Sequence, residues 1–497
     1  MMPPFLPLAL LVVPIIAALL CLVPSSAVVA EWVSGTAAVL VLALGVWLVA
    51  NTGARPVRAE PGLYVDALSA VLVLVITAAG AATVLYSLGY LRHEVALGHL
   101  GGGQARWYFF WLHLFIFTML MVVLAANLGL LWVAMECTTV VSGVLVGFSR
   151  KAEALEAAWK YVLICSLGIA LALFGTVLMY YSAVQVVGQG NAALDWATLA
   201  RVAPRLDPNL VRLSFGVVLI GFGTKAGLAP MHTWLPDAHS QAPTPVSAML
   251  SAVLLNCALY AILRFHAIAV RAVGPDFSTH LLLGFGLLTV AVAVPFLLIQ
   301  HDIKRLLAYS SMEHVGIITT AAGIGGKLGL FAAMLHLINH AAAKSTMFLS
   351  VGTIIQRLGT RNIHRLGGAG RALPTLGALT LLGGLALGGS PPFSPFVSEF
   401  TAVRAAIQTN QTVAAVLLLL LLALAFGGIL VHIGRVALGP ASRRRVRPQS
   451  CPAAPALDRI GFLTLGLLSA TVVLLGLHVP DGLVTLLRRA AAVIGGA

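Results

Sequence analysis

GFGTKAGLAPMHTWLPDAHSQAPTP, residues 221–245, starts as an apolar helix and is broken at Gly227 and Pro230, with Lys225 five residues before that proline. A second stretch, GLALGGSPPFSPFVSEF at 384–400, breaks in the same way and carries Glu399 four residues after Pro395. In hydrocarbon, backbone that leaves a helix must find other hydrogen-bond partners. Such interruptions therefore survive only where they are buried in protein or line a wet cavity. An ionisable side chain placed there is costly and marks function by default. Two interrupted spans in corresponding halves of a chain are the sequence sign of a transporter built from repeats.

Composition agrees with that reading. Of 497 residues, 60% are hydrophobic and 9% charged, and the mean hydropathy of +0.99 lies outside the range of soluble domains. These values predict an all-α polytopic membrane protein embedded in the lipid bilayer. The net charge of +14 does not point to nucleic acid, because the basic residues fall into short loops between apolar runs. Cys21, Cys137, Cys165, Cys257 and Cys451 stand singly, without CxxC spacing, and predict neither an iron–sulfur cluster nor a disulfide framework. The first 32 residues lack the basic n-region of a signal peptide, the first arginine being Arg55, and read as a retained first span.

Windows long enough to cross about 30 Å of hydrocarbon predict about 14 transmembrane helices, the seventh (211–235) and twelfth (373–405) discontinuous. If the loops alternate sides, sixteen Lys/Arg follow odd-numbered spans, including the RRRVR cluster from Arg443; ten lie on the other side and four inside spans. That asymmetry places both termini outside the cytoplasm, in a membrane that is expected to be the bacterial inner membrane. The layout divides into an N-terminal three-helix segment (1–106), two five-helix repeats (107–270 and 279–438), and a basic loop with a C-terminal helix (439–497). An odd number of spans per repeat turns the second copy upside down, so the repeats are inverted.

Polar residues within the spans nominate the site. Glu136 is the only acid of the fifth span, nine residues after Asn127 and so about half way across at about 1.5 Å per residue. Lys225 is the mid-span cation of the first repeat, and the two are expected to form a pair whose burial and mutual attraction act in opposite directions on its protonation. His336, His340 and Lys344 recur every four residues and form one polar stripe on an apolar helix. Imidazole suits a proton relay because it titrates near neutrality. Two histidines four apart also suit a metal, yet no HExxH pattern is present and no acid lies nearby to complete a site, so no metal site is expected.

Glu399, just past the second break, suits the end of a conduction path at a water-filled vestibule. Possible further relay members are Lys160, His232, His239, Asn256, Glu313 and His314. Asp302, Lys304 and Arg305 read as a cytoplasmic interface cluster, and Arg264, near a span end, as a snorkelling side chain.

The runs KAGLAPMHTWLPDAHSQAPTPVSAML (225–250), QHDIKRLLAYSSMEHVG (300–316), LHLINHAAAKSTMFL (335–349) and PPFSPFVSEF (391–400) resemble a known family. It comprises the proton-conducting, antiporter-like membrane subunits of respiratory complex I, Mrp cation/proton antiporters and energy-converting hydrogenases. Within it, the run from Met135 to Tyr181 is most similar to the hydrogenase-4 component F type. The likeness covers about residues 60 to 440. It implies fourteen helices with two inverted five-helix repeats and a proton path along a central polar axis.

By position, the resemblance assigns Glu136 and Lys225 to the family's Glu/Lys pair. His336, His340 and Lys344 match the polar helix of the second repeat, and Glu399 the terminal site. Asn256 departs from the pattern, standing where many relatives carry a lysine, and a neutral amide orients water without storing a proton. The implied function is coupling of redox chemistry to proton pumping in a multi-subunit complex of hydrogenase-4 or complex I-like type. The partners are other membrane subunits and a peripheral redox module, and no cofactor is expected in this chain itself. The alternative is a component of an Mrp-type cation/proton antiporter, although a Na⁺ or K⁺ site would call for clustered carboxylates and carbonyls, and the core acids here are few and separate.

Overall fold

The computed structural model describes residues 3, 5–23, 26–53, 56–59, 62–101, 103–440 and 458–496. Arg55, the basic cluster from Arg443 and Cys451 lie outside the described residues. The chain opens with α1 (Leu6–Leu22) and α2 (Ala27–Asn51). A short antiparallel hairpin, β1 (Val57–Ala59) and β2 (Leu63–Val65), then leads into α3 (Ala67–Ala96). There follow α4 (Gln104–Leu124), α5 (Leu128–Val146), α6 (Ala152–Val187), the short α7 (Trp196–Val202), α8 (Pro208–Ala226) and α9 (Leu235–Gln241). Next, α10 (Thr244–Met249) passes through a π-helical turn at Leu250–Leu254 into α11 (Leu255–Val273).

The second half comprises α12 (Pro275–Ile299), α13 (Ile303–Ile324), α14 (Gly326–Leu358), the single turn α15 (Ala369–Ala372), α16 (Pro374–Leu387), α17 (Ser394–Gln408) and α18 (Thr412–Leu438). α19 (Arg459–Leu477) and α20 (Asp481–Gly495) complete it. Among the described residues, nine helices are long and apolar enough to cross a membrane. Helices α13 and α14 are long enough but are not among the nine, and both carry the charged and imidazole residues singled out above.

Packing follows the same circuit twice. Helix α4 lies on α5, α5 on α6, α6 on α8, α8 on α11, and α11 returns to α4. Likewise α12 lies on α13, α13 on α14, α14 on α16, α16 on α18, and α18 returns to α12. The two circuits meet where α10 and the π turn lie against α14. Lipid-like surroundings offer no hydrophobic drive between helices, so close approach needs small residues. The α6–α8 contact supplies them: a Cβ at Gly221 would stand 2.5 Å from the Ala172 backbone nitrogen, and one at Gly168 2.6 Å from Thr224 Cβ.

Both expected discontinuities are present. Helix α8 stops at Gly227, which takes the left-handed conformation (φ 78°) and donates back to the Gly223 and Thr224 carbonyls. Trp234 Nε1 adds a bond to the Thr224 carbonyl (2.8 Å), and the Ala229 amide donates to Thr289 Oγ1 (3.0 Å), so the loosened backbone is satisfied inside the protein. At the second break, Gly389 (φ 71°) turns the chain out of α16, and Asn339 Nδ2 of α14 donates to the Ser394 carbonyl at the head of α17 (2.7 Å).

Candidate functional site

At the first break the last turn of α8 delivers Lys225 into the bundle, where it is fully buried. Its Nζ donates to Thr139 Oγ1 of α5 (2.9 Å) and to the Tyr161 hydroxyl of α6, and lies 4.6 Å from the centre of the Tyr161 ring. Since Tyr161 accepts from the ammonium, its own proton is free for Ser142 Oγ, 2.6 Å away, and Ser142 donates onward to the Thr138 carbonyl. A directed chain of hydroxyls thus leads away from the lysine. Glu136 is half-buried and faces α6, accepting from Ser166 Oγ (2.7 Å), while its Oε2 has no partner.

No ion pair joins Glu136 to Lys225, which corrects the expectation of a directly paired couple. Helix α6 holds both of them separately, the carboxylate through Ser166 and the ammonium through Tyr161. Sequence reading missed Thr139, Ser142, Tyr161 and Ser166. Hydroxyls are common in membrane helices, and nothing in their spacing singles out these four.

The second break gathers more. His336 bridges three helices: its Nε2 lies 2.9 Å from His314 Nδ1 of α13, and its Nδ1 lies 2.9 Å from Ser398 Oγ of α17. Asn339 Nδ2 holds Ser398 from the same helix as His336 (3.0 Å). His340 stacks on His314 with ring centroids 5.2 Å apart, and both of its ring nitrogens are buried without a partner. One helical turn further, Lys344 Nζ donates to the Leu307 carbonyl (3.1 Å). Glu399 is buried with Oε1 unpartnered, packed so closely on the Gly389 turn that a Cβ there would collide with its carboxylate. Glu313 is buried, with Oε2 3.7 Å from His314 Nε2.

One nitrogen each from His314 and His336 and one oxygen of Glu399 lie within 4.8 Å of one another. The expectation that no acid stands near the histidines is therefore corrected, because the second break folds Glu399 back onto α13 and α14. Two imidazoles and one carboxylate are a donor set for a borderline transition ion rather than for Na⁺ or K⁺, which favour oxygen ligands.

The remaining candidates divide. His239 is buried on α9 with Nδ1 2.9 Å from the Leu235 carbonyl and Nε2 unpartnered, its ring 5.9 Å from that of Phe348 on α14, so it faces the second circuit. His232 lies half-buried in the first break, its Nδ1 unpartnered. Asn256 is buried, its amide donating to the Ala252 carbonyl (2.7 Å) and its Oδ1 free. Nearby, Ser251 in the π turn bonds Ser311 of α13 (2.6 Å), and Ser311 donates to the same Leu307 carbonyl that Lys344 holds.

Lys160, by contrast, is 49% exposed and pairs with Glu156 (2.6 Å) and Asp237 (3.5 Å). It belongs to a surface network with Arg305, which reaches Asp237 at 2.7 Å, and not to the buried chain. Lys304 corrects the interface reading in the other direction. It is buried and caps the end of α9 through the Ala242 carbonyl (2.6 Å), the favoured position for a cation at a helix C-terminus. Arg264 does not snorkel. It is 2% exposed, holds Asp66 through two bonds (2.6 and 2.8 Å) and lies 4.2 Å from the Trp196 ring, because Asp66, the N-cap of α3, is folded across to it.

Comparison with known proteins shows the family and the fold. The family model for NADH:quinone oxidoreductase/Mrp antiporter, TM matches residues 125–425. That for NADH-Ubiquinone oxidoreductase (complex I), chain 5 N-terminus matches residues 52–98. A hydrogenase-4 component F homolog of Methylacidiphilum infernorum is 42% identical over 76% of this chain and 80% of its own length. Hydrogenase-4 component B of Escherichia coli is 32% identical over 75% of this chain, which spans only 55% of that larger protein. The fold is shared with a chain of the archaeal membrane-bound sulfane sulfur reductase, a respiratory membrane complex. The TM-score is 0.85 at 24% identity, over 98% of this chain and 97% of that one. It is shared also with a chain of the Mrp complex of Dietzia (TM-score 0.83, 22% identity, 99% and 97% covered).

Proposed function

The chain belongs to the NADH:quinone oxidoreductase/Mrp antiporter family of membrane subunits, and from that premise we propose that it translocates protons within a multi-subunit oxidoreductase complex of hydrogenase-4 or complex I-like type. The observation that carries the proposal is the buried row of ionisable side chains at the two helix breaks. Lys225 sits on its hydroxyl chain at the first, and His314, His336, Ser398 and Glu399 lie together at the second. Such groups are costly in a membrane interior and are kept where charge must move. In this reading a redox module on partner subunits alters the state of Glu136 and Lys225, and the change is passed to Lys344 and the histidines and ends at Glu399. The redox chemistry belongs to the partners, and this chain supplies the proton path.

The proposal includes fourteen membrane crossings and two inverted repeats, supported by the identical packing circuits of the two halves. It places both termini outside the cytoplasm of a bacterial inner membrane, supported by the loop charges. Neighbouring membrane subunits of the same complex are part of the proposal, supported by relatives that belong to multi-subunit membrane complexes, and the exposed apolar face of α5 that shows Val133, Val140 and Val144 fits such a neighbour.

The test is proton uptake by the purified complex in proteoliposomes during turnover. Lys225→Ala and Glu136→Gln are each expected to lower pumping by about tenfold or more while the complex still assembles, an effect of the size that loss of a positioned proton carrier produces. Undiminished pumping in both variants would sink the path assignment. An Mrp-type cation/proton antiporter is the second reading, favoured by 31% identity over 70% of this chain with a Na(+)/H(+) antiporter protein of Alkalihalophilus pseudofirmus, of which the match spans 43%. Sodium or potassium exchange that proceeds without redox turnover would select it.

A further inference from the structure

Three arginines from three separate elements converge on one cavity remote from the buried row. Arg201 of α7, Arg271 near the end of α11 and Arg489 of α20 line a space of about 440 Å³, with Tyr64, Trp196 and Asp66 in its wall. The acid there is already committed: Asp66 takes both arms of Arg264 and caps the Ser69 amide (2.9 Å). The neighbouring acid, Asp195, is taken by Arg58 (2.7 Å). Among the described residues no carboxylate pairs with Arg201, Arg271 or Arg489.

Their own bonds orient them without exhausting them. Arg271 is half-buried and donates to the Ala267 carbonyl (2.7 Å) and, across to α20, to the Val493 carbonyl (3.2 Å). Arg201 donates to Thr198 Oγ1 (3.3 Å) and Arg489 to the Thr52 carbonyl (3.5 Å). A guanidinium carries five N–H donors, so most of the fifteen remain available. Three cations that have no carboxylate partner among the described residues raise the local potential around the cavity and call for an anion, and planar guanidinium forks match phosphate oxygens in pairs.

The position is that of a membrane surface. The cavity lies among the segments that follow the even-numbered spans, opposite the arginine-rich loops, and has a tryptophan and a tyrosine in its wall as interfacial sites commonly do. Helix α20 has the matching character. Leu486, Leu487, Ala490, Ala491 and Ile494 are buried against α3, α11 and α14, while Arg488 and Arg489 point outward.

We propose that this cavity binds an anionic phosphate group, the chemistry shared by the headgroup of an anionic phospholipid and by free phosphate, and that the bound anion fastens α20 across the ends of α3, α11 and α14. The purified complex is stripped of lipid in detergent and offered phosphatidylglycerol, phosphatidylcholine or inorganic phosphate in parallel. Binding is followed by native mass spectrometry and thermal melting. The same measurements are made on the Arg201→Gln/Arg489→Gln variant, both changes being at the surface and outside the packed core.

Retention of phosphatidylglycerol over phosphatidylcholine, with at least a tenfold weakening in the variant, supports the proposal and identifies a lipid headgroup as the ligand. Saturable binding of inorganic phosphate with the same weakening supports it and identifies the free anion. Equal retention of the two lipids without phosphate binding, equal affinity in wild type and variant, or no binding by any of the three overturns it. None of these outcomes depends on proton pumping, so the proposal stands or falls apart from the proton-path reading.

Discussion

Lys225 is held by oxygen atoms that carry no charge. A direct carboxylate partner would lock the ammonium, whereas Thr139 and Tyr161 stabilise it and leave its proton one exchangeable step, through the Tyr161 hydroxyl to Ser142, whose bond to the Thr138 carbonyl ends the chain. Tyr161→Phe removes that step while keeping the ring beneath the ammonium. The expected result is a fall in pumping of several-fold, with a cost of about 1–2 kcal/mol in stability from the lost bonds to Ser142 and Lys225. Proton uptake and a melting curve on the same sample measure both, and normal pumping in a destabilised variant would make Tyr161 a purely structural residue. Lysine beside a helix break was legible as a candidate from its cost alone. The identity of its partners was not, because serine, threonine and tyrosine sit in apolar helices for many reasons.

Among the elements, the α6–α8 pair positions the site, since α6 brings Tyr161 and Ser166 and α8 brings Lys225. Their close approach rests on glycines, so Gly221→Ala should push α8 away from the Ala172 backbone and cost about 1–3 kcal/mol by overpacking. Thermal melting of the purified complex in detergent reads that cost. Proton uptake should fall with it, because the displaced helix carries Lys225 off Thr139. A variant as stable and as active as the wild type would show that the contact has slack the packing does not suggest. The two breaks were evident in sequence because glycine and proline interrupt apolar runs in only a few ways. The role of Asn339, which satisfies the second break from another helix, was not evident, since its partner Ser394 lies 55 residues away.

Across the whole molecule, the two circuits touch where the π turn and α10 meet α13 and α14, and the polar groups there are Ser251, Ser311, His239 and the Leu307 carbonyl under Lys344. The Ser251–Ser311 bond ties the two circuits together beside Lys344, and Asn256 takes no part in it, its amide being spent on the Ala252 carbonyl. If both halves serve one path, Lys225→Ala and Lys344→Ala are not independent, and the double variant should pump about as well as the worse single one. Two separate paths would instead give losses that multiply. Initial rates of proton uptake in the four forms decide between these outcomes.

The sequence by itself determined the membrane class and the two broken helices, and it nominated as candidates the polar residues whose placement in hydrocarbon is costly: Glu136, Lys225, His336, His340, Lys344 and Glu399. Those conclusions follow from transfer energies and helix geometry, which act locally along the chain. Only the tertiary structure decided who meets whom. It gave Glu136 and Lys225 separate partners on α6, sent Lys160 to the surface, drew Lys304 and Arg264 into the interior, and closed Glu399 onto His314 and His336. Each of these outcomes depends on helices far apart in sequence packing side by side, and the cost of burying a polar group does not reveal which distant helix will offset it.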